Sequence, residues 1–170
     1  MAKELHGEEI PVTGTHDHET WDEFPGLDKK VVNRTWEAIK GDIGFWNYLE
    51  PLATPEEFER IKYLDADVYF VTSRSNGLHV KDQTELWLLE RKISNPTVII
   101  TPDKGEACKI IGVTHAIEDK AGNAVAIQYM SGAKSYIIDR KYNRFDHNVI
   151  GTKVQRVQTV TEFLNKVEEE

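Results

Sequence analysis

At 170 residues the chain is long enough for one domain with a sizeable core and too short for two ordinary ones, and its 39% hydrophobic and 29% charged residues are typical of a globular protein in water. The formal net charge of -8 argues against general nucleic-acid binding, because neutralising a nucleic-acid backbone requires clustered Lys and Arg. The single cysteine, Cys108, excludes an internal disulfide, and the lack of a long apolar run or a signal-peptide pattern predicts a cytoplasmic protein without a membrane partner.

The first part of the chain predicts an irregular start followed by two helices. Residues 1–26 are punctuated by Pro and Gly and predict irregular structure, with a short helix at the start as an alternative for the first residues. Apolar residues at helical spacing predict an amphipathic helix over residues 28–39, ended near Gly41, and the aromatic stretch 44–52 predicts a loop or a short turn. A second helix is predicted after Thr54, because a capping residue, a proline and a glutamate precede an apolar stripe there.

The remainder of the chain alternates between predicted strands and predicted helices. Short β-branched or apolar runs predict strands at residues 68–72, 97–101, 115–118 and 135–138. Helical patterns predict helices over residues 81–94, 104–111 and 119–126, the last of them polar, and a final helix opened by a capping box at Thr159. This alternation predicts an α/β fold, a three-layer sandwich with helices on both faces of a parallel sheet.

Polar side chains follow three of the predicted strands. They offer hydroxyls, cations and carboxylates, and they are Thr72, Ser73, Arg74, Asp103, Lys104, Glu118 and Asp119. Because the carboxyl ends of parallel strands meet at one edge of a sheet, we expect these groups to converge there and to hold a phosphate beside a divalent metal ion. Each stretch taken alone is also typical of a simpler element: a Ser/Asn/Gly turn at 73–77, a helix-entry loop at 103–105, or a solvated helix start at 118–119.

In this order the three stretches resemble motifs of a known family. VYFVTSR (68–74), PDKGEACKIIG (102–112) and THAIEDKAGNAVA (114–126) resemble the second, third and fourth motifs of the haloacid dehalogenase (HAD)-like superfamily of phosphohydrolases. The nearest similarity is to small 5'-nucleotidase-like members, many of them encoded by phages. GFWNYLEPL (44–52), YIIDRKYNR (136–144) and the closing VQTVTEFLNKV are similar to the corresponding parts of that group.

The resemblance implies a fold and a reaction. It implies a single Rossmann-like HAD domain over residues 1–170, with three α/β/α layers, a parallel sheet and a small helical cap within residues 20–64. The implied activity is removal of phosphate from a nucleoside monophosphate, or another small phosphate ester, with Mg²⁺ as cofactor.

The resemblance also implies roles for individual residues. Thr72, with Ser73 as the second choice, would donate a hydrogen bond to the phosphoryl oxygen, and Lys104 would balance negative charge. Asp119, with Glu118 where the family usually has a second aspartate, would hold magnesium. In related enzymes the cap covers the site, so Phe45 or Trp46 would stack on a base, although both aromatic residues equally suit packing of the cap on the core. Independently of the resemblance, the guanidinium of Arg74 offers a fork of donors that suits a phosphate or a carboxylate.

One family motif has no counterpart where it is expected. The family begins with a strand that ends in Asp-x-Asp, whose first aspartate is the nucleophile and whose second is the general acid and base. The sequence contains this pattern once, at 65–67, and we interpret it as a turn because it precedes the strand at 68–72 instead of ending a strand. In the family the missing strand lies centrally, between the strands of the second and fourth motifs.

Three structures remain open for this gap. Residues upstream supply the strand, another segment or another copy of the chain fills the space, or the two neighbouring strands pair directly. Without the aspartate the 170-residue chain should not hydrolyse phosphate esters at the rate of a complete enzyme. The competing hypothesis is a non-catalytic protein that binds a nucleotide or a protein partner, or forms a homo-oligomer by strand exchange.

Overall fold

The computed structural model describes residues 28–42, 44–74, 79–144 and 147–169. The irregular structure predicted for residues 1–26, and the start of the cap predicted at 20–27, lie outside these ranges. Within them, no helix is long and apolar enough to cross a membrane.

The described residues form a mixed α/β structure with short parallel strands. Its helices and strands, in chain order, are α1 (Lys29–Gly41), α2 (Pro55–Lys62), β1 (Tyr69–Thr72), α3 (Val80–Glu90), β2 (Thr97–Ile100), α4 (Lys104–Ile111), β3 (His115–Glu118), α5 (Ala121–Ser131), β4 (Lys134–Ile138), β5 (Gln155–Val157) and α6 (Val160–Glu168). One-turn 3-10 helices lie at Phe45–Tyr48, Lys141–Asn143 and His147–Val149.

Local capping explains why the predicted starts of α1, α2 and α4 are confirmed. The side chain of Asp28 accepts a hydrogen bond from Lys30 at the start of α1, and Thr54 forms a full capping box with Glu57 at the start of α2. Helix α4 occupies the predicted residues 104–111. Asp103 caps its first turn, and Gly112 ends it at a positive φ of 76°, a conformation that glycine adopts without steric cost.

Two predicted helices have different bounds. Helix α3 ends at Glu90 instead of residue 94, and the backbone turns through positive φ at Lys92 (66°) and Asn95 (50°). The helix predicted as polar over 119–126 is instead Ala121–Ser131, and its inner stripe is apolar. The sequence did not reveal this stripe, because Gly, Asn and Gln separate its apolar positions and two of its members are small alanines. Ala121 and Ala124 are nevertheless buried against Ile137 of β4.

Strand β5 was not predicted from the sequence. It contains only three residues, Gln155, Arg156 and Val157, and pairs in parallel with β4 at the edge of its sheet. Since only Val157 of this strand is buried, the strand lacks the apolar run that marked the others.

The strands form two parallel sheets instead of one. Strand β1 pairs with β2, and β3, β4 and β5 form a second sheet in that order. Among the described residues β1 and β3 do not pair with each other, so direct pairing across the gap, one of the three structures left open, is wrong.

Helices cover both faces of the second sheet. Tyr136 and Ile138 of β4 pack with Phe163 of α6, whereas Ile137 between them packs with Ala121 and Ala124 of α5. Because alternate residues of a strand point to opposite faces, α6 and α5 lie on opposite sides of this sheet. The arrangement confirms the α/β class and buries the strand residues on both faces.

Glu57 joins the amino ends of two helices that are distant in the chain. Its Oε2 accepts a hydrogen bond from the backbone N–H of Thr54 (2.9 Å), and its Oε1 accepts from the N–H (2.7 Å) and hydroxyl (2.9 Å) of Thr161 in α6. Burial raises the pKa of Glu57, but the hydrogen bonds from Thr54 and Thr161 outweigh it and hold the pKa below its ordinary value of 4.5. The carboxylate therefore stabilises the contact of α2 with α6 in its charged form.

We expect Glu57→Gln to lower the free energy of unfolding by about 1–3 kcal/mol at neutral pH, because an amide nitrogen replaces one accepting oxygen. A lowered folded-state pKa gives stabilisation that is complete above the unfolded-state value, about 4.5, and is lost as the pH falls through the folded-state value. The difference in the free energy of unfolding between wild type and variant, measured by urea denaturation, should therefore become smaller below about pH 4.5.

Glu56→Gln is the matched control, because Glu56 lies in the same first turn and is exposed. Equal losses of stability from the two substitutions would contradict the bridging role of Glu57.

Candidate functional site

The carboxyl ends of β1, β2 and β3 come together at one edge of the molecule, which we call the rim. Its residues are Thr72, Ser73, Arg74, Lys104, Glu118 and Asp119, all of them predicted site residues. Strand β1 pairs in parallel with β2 as far as Thr72 and Ile100, and Lys104, just after β2, contacts Glu118 at the end of β3. The charge of Asp119 acts on the pKa of Arg74, which follows β1.

Lys104 and Glu118 form a largely buried ion pair. Lys104 starts α4 just after β2, Glu118 ends β3, and their side chains are only 12% and 8% exposed. The Nδ2 of Asn123 also donates to Glu118, at 3.4 Å. Because neither charge is stable when buried alone, each holds the other at the rim.

Cys108 lies one turn further along α4, where the charges of Lys104 and Glu118 affect the pKa of its thiol. Burial raises the pKa of the Cys108 thiol, the negative charge of Glu118 raises it further, and Lys104 opposes both. The thiol is therefore protonated and acts in packing, as predicted from the sequence.

Arg74 and Trp46 form the second group at the rim. The guanidinium carbon of Arg74 lies 4.3 Å from the centre of the Trp46 ring, within the range of a cation–π contact. Although much of the Arg74 residue is exposed, desolvation of the guanidinium against this ring lowers its pKa, and the charge of Asp119 acts in the opposite direction. The ring of Phe45 packs edge-on against the ring of Trp46, with 4.9 Å between the ring centres, and thus supports it.

Helix α3 holds the aromatic turn that carries Trp46. The backbone N–H of Trp46 donates to Oε1 of Gln83 (3.0 Å), and Nε1 of Trp87 donates to the carbonyl of Leu49 (2.6 Å). Gln83 also donates to the carbonyl of Asp42 (3.3 Å). Side chains of one helix therefore position the turn, and with it the ring beneath Arg74.

Thr72 and Ser73 are at the rim but belong to neither of these contacts. The carbonyl of Thr72 extends the ladder to Thr101, and its hydroxyl accepts a hydrogen bond from the N–H of Arg74 (3.4 Å). This is the geometry of a short Thr turn, so the simpler interpretation of this stretch holds alongside the functional one. Ser73 is exposed next to it.

Tyr142 and Asn143 contact Asp119 of the rim, and neither had a predicted role. The hydroxyl of Tyr142 donates to Oδ2 of Asp119 (2.5 Å). Asn143, 2% exposed, donates to the carbonyls of Asp119 (2.7 Å) and Ile138 (2.8 Å). Only the similarity of YIIDRKYNR to a family segment pointed to this loop, because a single Tyr or Asn has no distinctive pattern.

The loop that carries Tyr142 is fixed by an ionic network. Asp139, whose side chain is 7% exposed, pairs with Arg144 (2.5 Å) and Arg156 (3.0 Å). A hydrogen bond from Arg144 lowers the pKa of Asp139, and the positive charges of both arginines act in the same direction. Arg156, from the strand that sequence patterns missed, also donates to the side chain (2.8 Å) and carbonyl (3.0 Å) of Asn143.

The Asp-x-Asp pattern at 65–67 is remote from the rim. Its residues are exposed in a bend before β1, whereas the rim follows the other end of that strand. The interpretation of this pattern as a turn is therefore confirmed.

The carboxylates of Glu118 and Asp119 are the residues that could hold a magnesium ion. They suit a hard cation, which typically binds one or two carboxylates together with phosphate oxygens. Within the described ranges no group of three or more His, Cys, Asp or Glu residues could hold a metal ion by itself. The two carboxylates therefore fit Mg²⁺ only as a site shared with a phosphate ligand.

Comparisons of the chain with known protein families, with curated proteins and with solved structures found no match.

We expect Arg156→Gln to destabilise the protein more than Arg144→Gln. Arg156 is 28% exposed at its side chain and binds both Asp139 and Asn143, whereas Arg144 is 53% exposed and, among the residues that the structure describes, binds Asp139 alone. Loss of the Arg156 contacts should lower the free energy of unfolding by about 1–3 kcal/mol, measured by urea denaturation. A larger effect from Arg144→Gln would contradict the anchoring role of Arg156.

Proposed function

We propose that the rim binds the phosphate group of a nucleoside monophosphate, or of a similarly small phosphate ester, in a HAD-type 5'-nucleotidase-like fold. In this proposal the two sheets and their helices correspond to a three-layer Rossmann-like domain, and the aromatic turn belongs to a small helical cap. The observation that carries the proposal is the contact of Lys104 with Glu118 at the carboxyl ends of β2 and β3, beside the parallel end of β1 that leads to Arg74.

Each rim residue has a chemical task in phosphate binding. Arg74 offers a planar fork of donors that matches two phosphate oxygens, and the Trp46 ring holds that fork in place. Thr72 and Ser73 offer hydroxyl donors beside it, and Lys104 supplies a second positive charge. The ring of Trp46, which contacts Arg74, and the ring of Phe45 beside it would form the apolar surface for the base or another organic group of the ligand.

The charges of the rim explain why the proposed ligand would require magnesium. Two cations, Arg74 and Lys104, stand against two carboxylates, Glu118 and Asp119, so the four groups sum to zero. A phosphate monoester brings about two negative charges that these residues do not balance. Magnesium, held by the carboxylates and the phosphate together, would supply the missing positive charge.

We propose binding without rapid hydrolysis for the 170-residue chain alone. Phosphoryl transfer in the family proceeds through an aspartate nucleophile, and the one Asp-x-Asp pattern of this sequence lies at the wrong end of β1. Loss of a nucleophile leaves only the effects of positioning and electrostatics, typically several orders of magnitude below the full rate. An aspartate brought to the rim by another segment would be needed for the complete reaction.

The second candidate function is that of a non-catalytic assembly protein. The observation that favours it is a cleft of about 500 Å³ lined by residues of β1 and β3, two strands that do not pair with each other in the described part of the chain.

We expect the purified chain to bind at least one of the common nucleoside 5'-monophosphates when magnesium is present, measured by isothermal titration calorimetry. Because the rim residues alone sum to no net charge, removing magnesium with EDTA should weaken the affinity tenfold or more. The proposal fails if none of these nucleotides binds in the presence of magnesium, or if binding is equally tight without it.

We expect Lys104→Gln to weaken nucleotide binding about tenfold or more, a change of about 1.4 kcal/mol, because it removes one of the two rim cations. Lys109→Gln is the matched control, since Lys109 lies on the same helix with its side chain 58% exposed and pairs with Glu106 instead of the rim. Circular dichroism checks that both variants are folded. Equal affinities of the two variants would contradict the role of Lys104.

A further inference from the structure

The two carboxylates of the rim have different surroundings. Oε1 of Glu118 accepts a hydrogen bond from Nζ of Lys104, and its Oε2 accepts one from Nδ2 of Asn123 (3.4 Å). The Glu118 side chain is only 8% exposed. Asp119, the next residue, is exposed, and within the described ranges its carboxylate accepts a hydrogen bond only at Oδ2, from the hydroxyl of Tyr142. Glu118 therefore has both oxygens engaged by the protein, whereas Asp119 keeps one for a ligand.

Burial makes Glu118 a poor ligand for magnesium. Mg²⁺ keeps several of its water molecules and is typically bound by one or two carboxylates together with phosphate oxygens, so its protein ligands need access to water. Glu118 could reach such an ion only by giving up its contact with Lys104, whose side chain is 12% exposed, and leaving that charge buried without a partner. Asp119 faces no such loss, because it is exposed. The cation ligand of the proposed site is accordingly Asp119, and Glu118 has a different task.

The task of Glu118 follows from its effect on the charge of Lys104. Because the two side chains are in contact and largely buried, the positive charge of Lys104 is compensated before a ligand arrives. A metal-free phosphate monoester, which carries about two negative charges at neutral pH, gains little from a cation that is already paired. The same phosphate bound to Mg²⁺ is close to neutral and depends less on that cation. Glu118 therefore weakens binding of the metal-free ligand more than binding of the magnesium complex.

We propose that Glu118 determines the preference of the rim for the magnesium complex of a phosphate ligand over the metal-free ligand, because it neutralises Lys104 and does not bind the metal. Asn123, in the first turn of α5, donates to the second oxygen of Glu118 and positions it for this contact. This inference rests on the proposed function and goes beyond it, since only one of the two rim carboxylates then holds magnesium.

Isothermal titration calorimetry of the full chain tests the role of Glu118. The probes are adenosine, cytidine, guanosine and uridine 5'-monophosphates, each titrated with magnesium and with EDTA. We expect Glu118→Gln to lower the Kd of the metal-free nucleotide about threefold or more, because the charge of Lys104 is then available to the phosphate, and not to raise the Kd measured with magnesium. The proposal is overturned if the metal-free Kd does not fall, or if the Kd with magnesium rises as the loss of a metal ligand requires.

Glu59→Gln is the matched control for the change in net charge. It removes the same charge from the surface of helix α2, where the Glu59 side chain is 52% exposed and pairs with Lys62. We expect this variant to leave both Kd values unchanged. Equal tightening of metal-free binding by the two substitutions would assign the effect to net charge and overturn the proposal.

The double variant Lys104→Gln/Glu118→Gln separates the proposed role from a defect in folding. It removes both charges, so that no buried charge is left unpaired, and circular dichroism checks the fold of every variant. Because Asp119 is intact, the double variant should keep a gain in affinity of about tenfold or more on addition of magnesium. It should also lose the tighter metal-free binding of Glu118→Gln. Loss of the magnesium gain would overturn the proposal even where Glu118→Gln alone does not fold.

Wild-type titrations distinguish failure of this inference from failure of the proposed function. If no nucleotide binds, or if binding is equally tight without magnesium, the proposed function fails and this inference fails with it. If the wild type requires magnesium and Glu118→Gln binds more weakly with magnesium, only the role assigned to Glu118 fails.

Discussion

The buried ion pair between Lys104 and Glu118 is the interaction on which the rim depends. It connects the helix that follows β2 with the end of β3, and so ties one sheet to the other where the strands end. Removing one partner would leave an uncompensated buried charge, which is far more unfavourable than loss of a surface pair. The hydrogen bonds of Glu57 make the corresponding connection between α2 and α6 elsewhere in the molecule. Two carboxylates thus hold together parts of the chain that no continuous sheet connects.

Most helices and the strand ends were predictable because their signals are local. Helix α4 begins after a capping aspartate and ends at a glycine with positive φ, and both residues are visible in the sequence. The contact of Lys104 with Glu118 followed from the rule that parallel strands bring their carboxyl ends together. By contrast, the contacts of Tyr142 with Asp119 and of Arg156 with Asn143 arise from tertiary packing of a loop and a three-residue strand. Neither has a periodicity that a sequence pattern could detect.

The cleft and the rim are two ends of the same architectural feature. The cleft runs between β1 and β3, and Lys104 and Glu118 line it where it reaches the rim. Whether β1 and β3 pair directly could not be predicted, because no local sequence pattern sets the distance between two strands. In the described structure they do not pair, and a cleft lies between them.

If the rim binds phosphate as proposed, its neutrality within an acidic protein has a consequence for how the ligand arrives. An approaching dianion is repelled by the net charge of -8 at long range and meets compensating cations only on contact. Dissolved ions screen this long-range repulsion over a Debye length of about 10 Å at 0.1 M ionic strength, while leaving the short contacts largely intact. The diffusional encounter should therefore become faster as ionic strength rises, the reverse of the behaviour of phosphate sites embedded in basic surfaces.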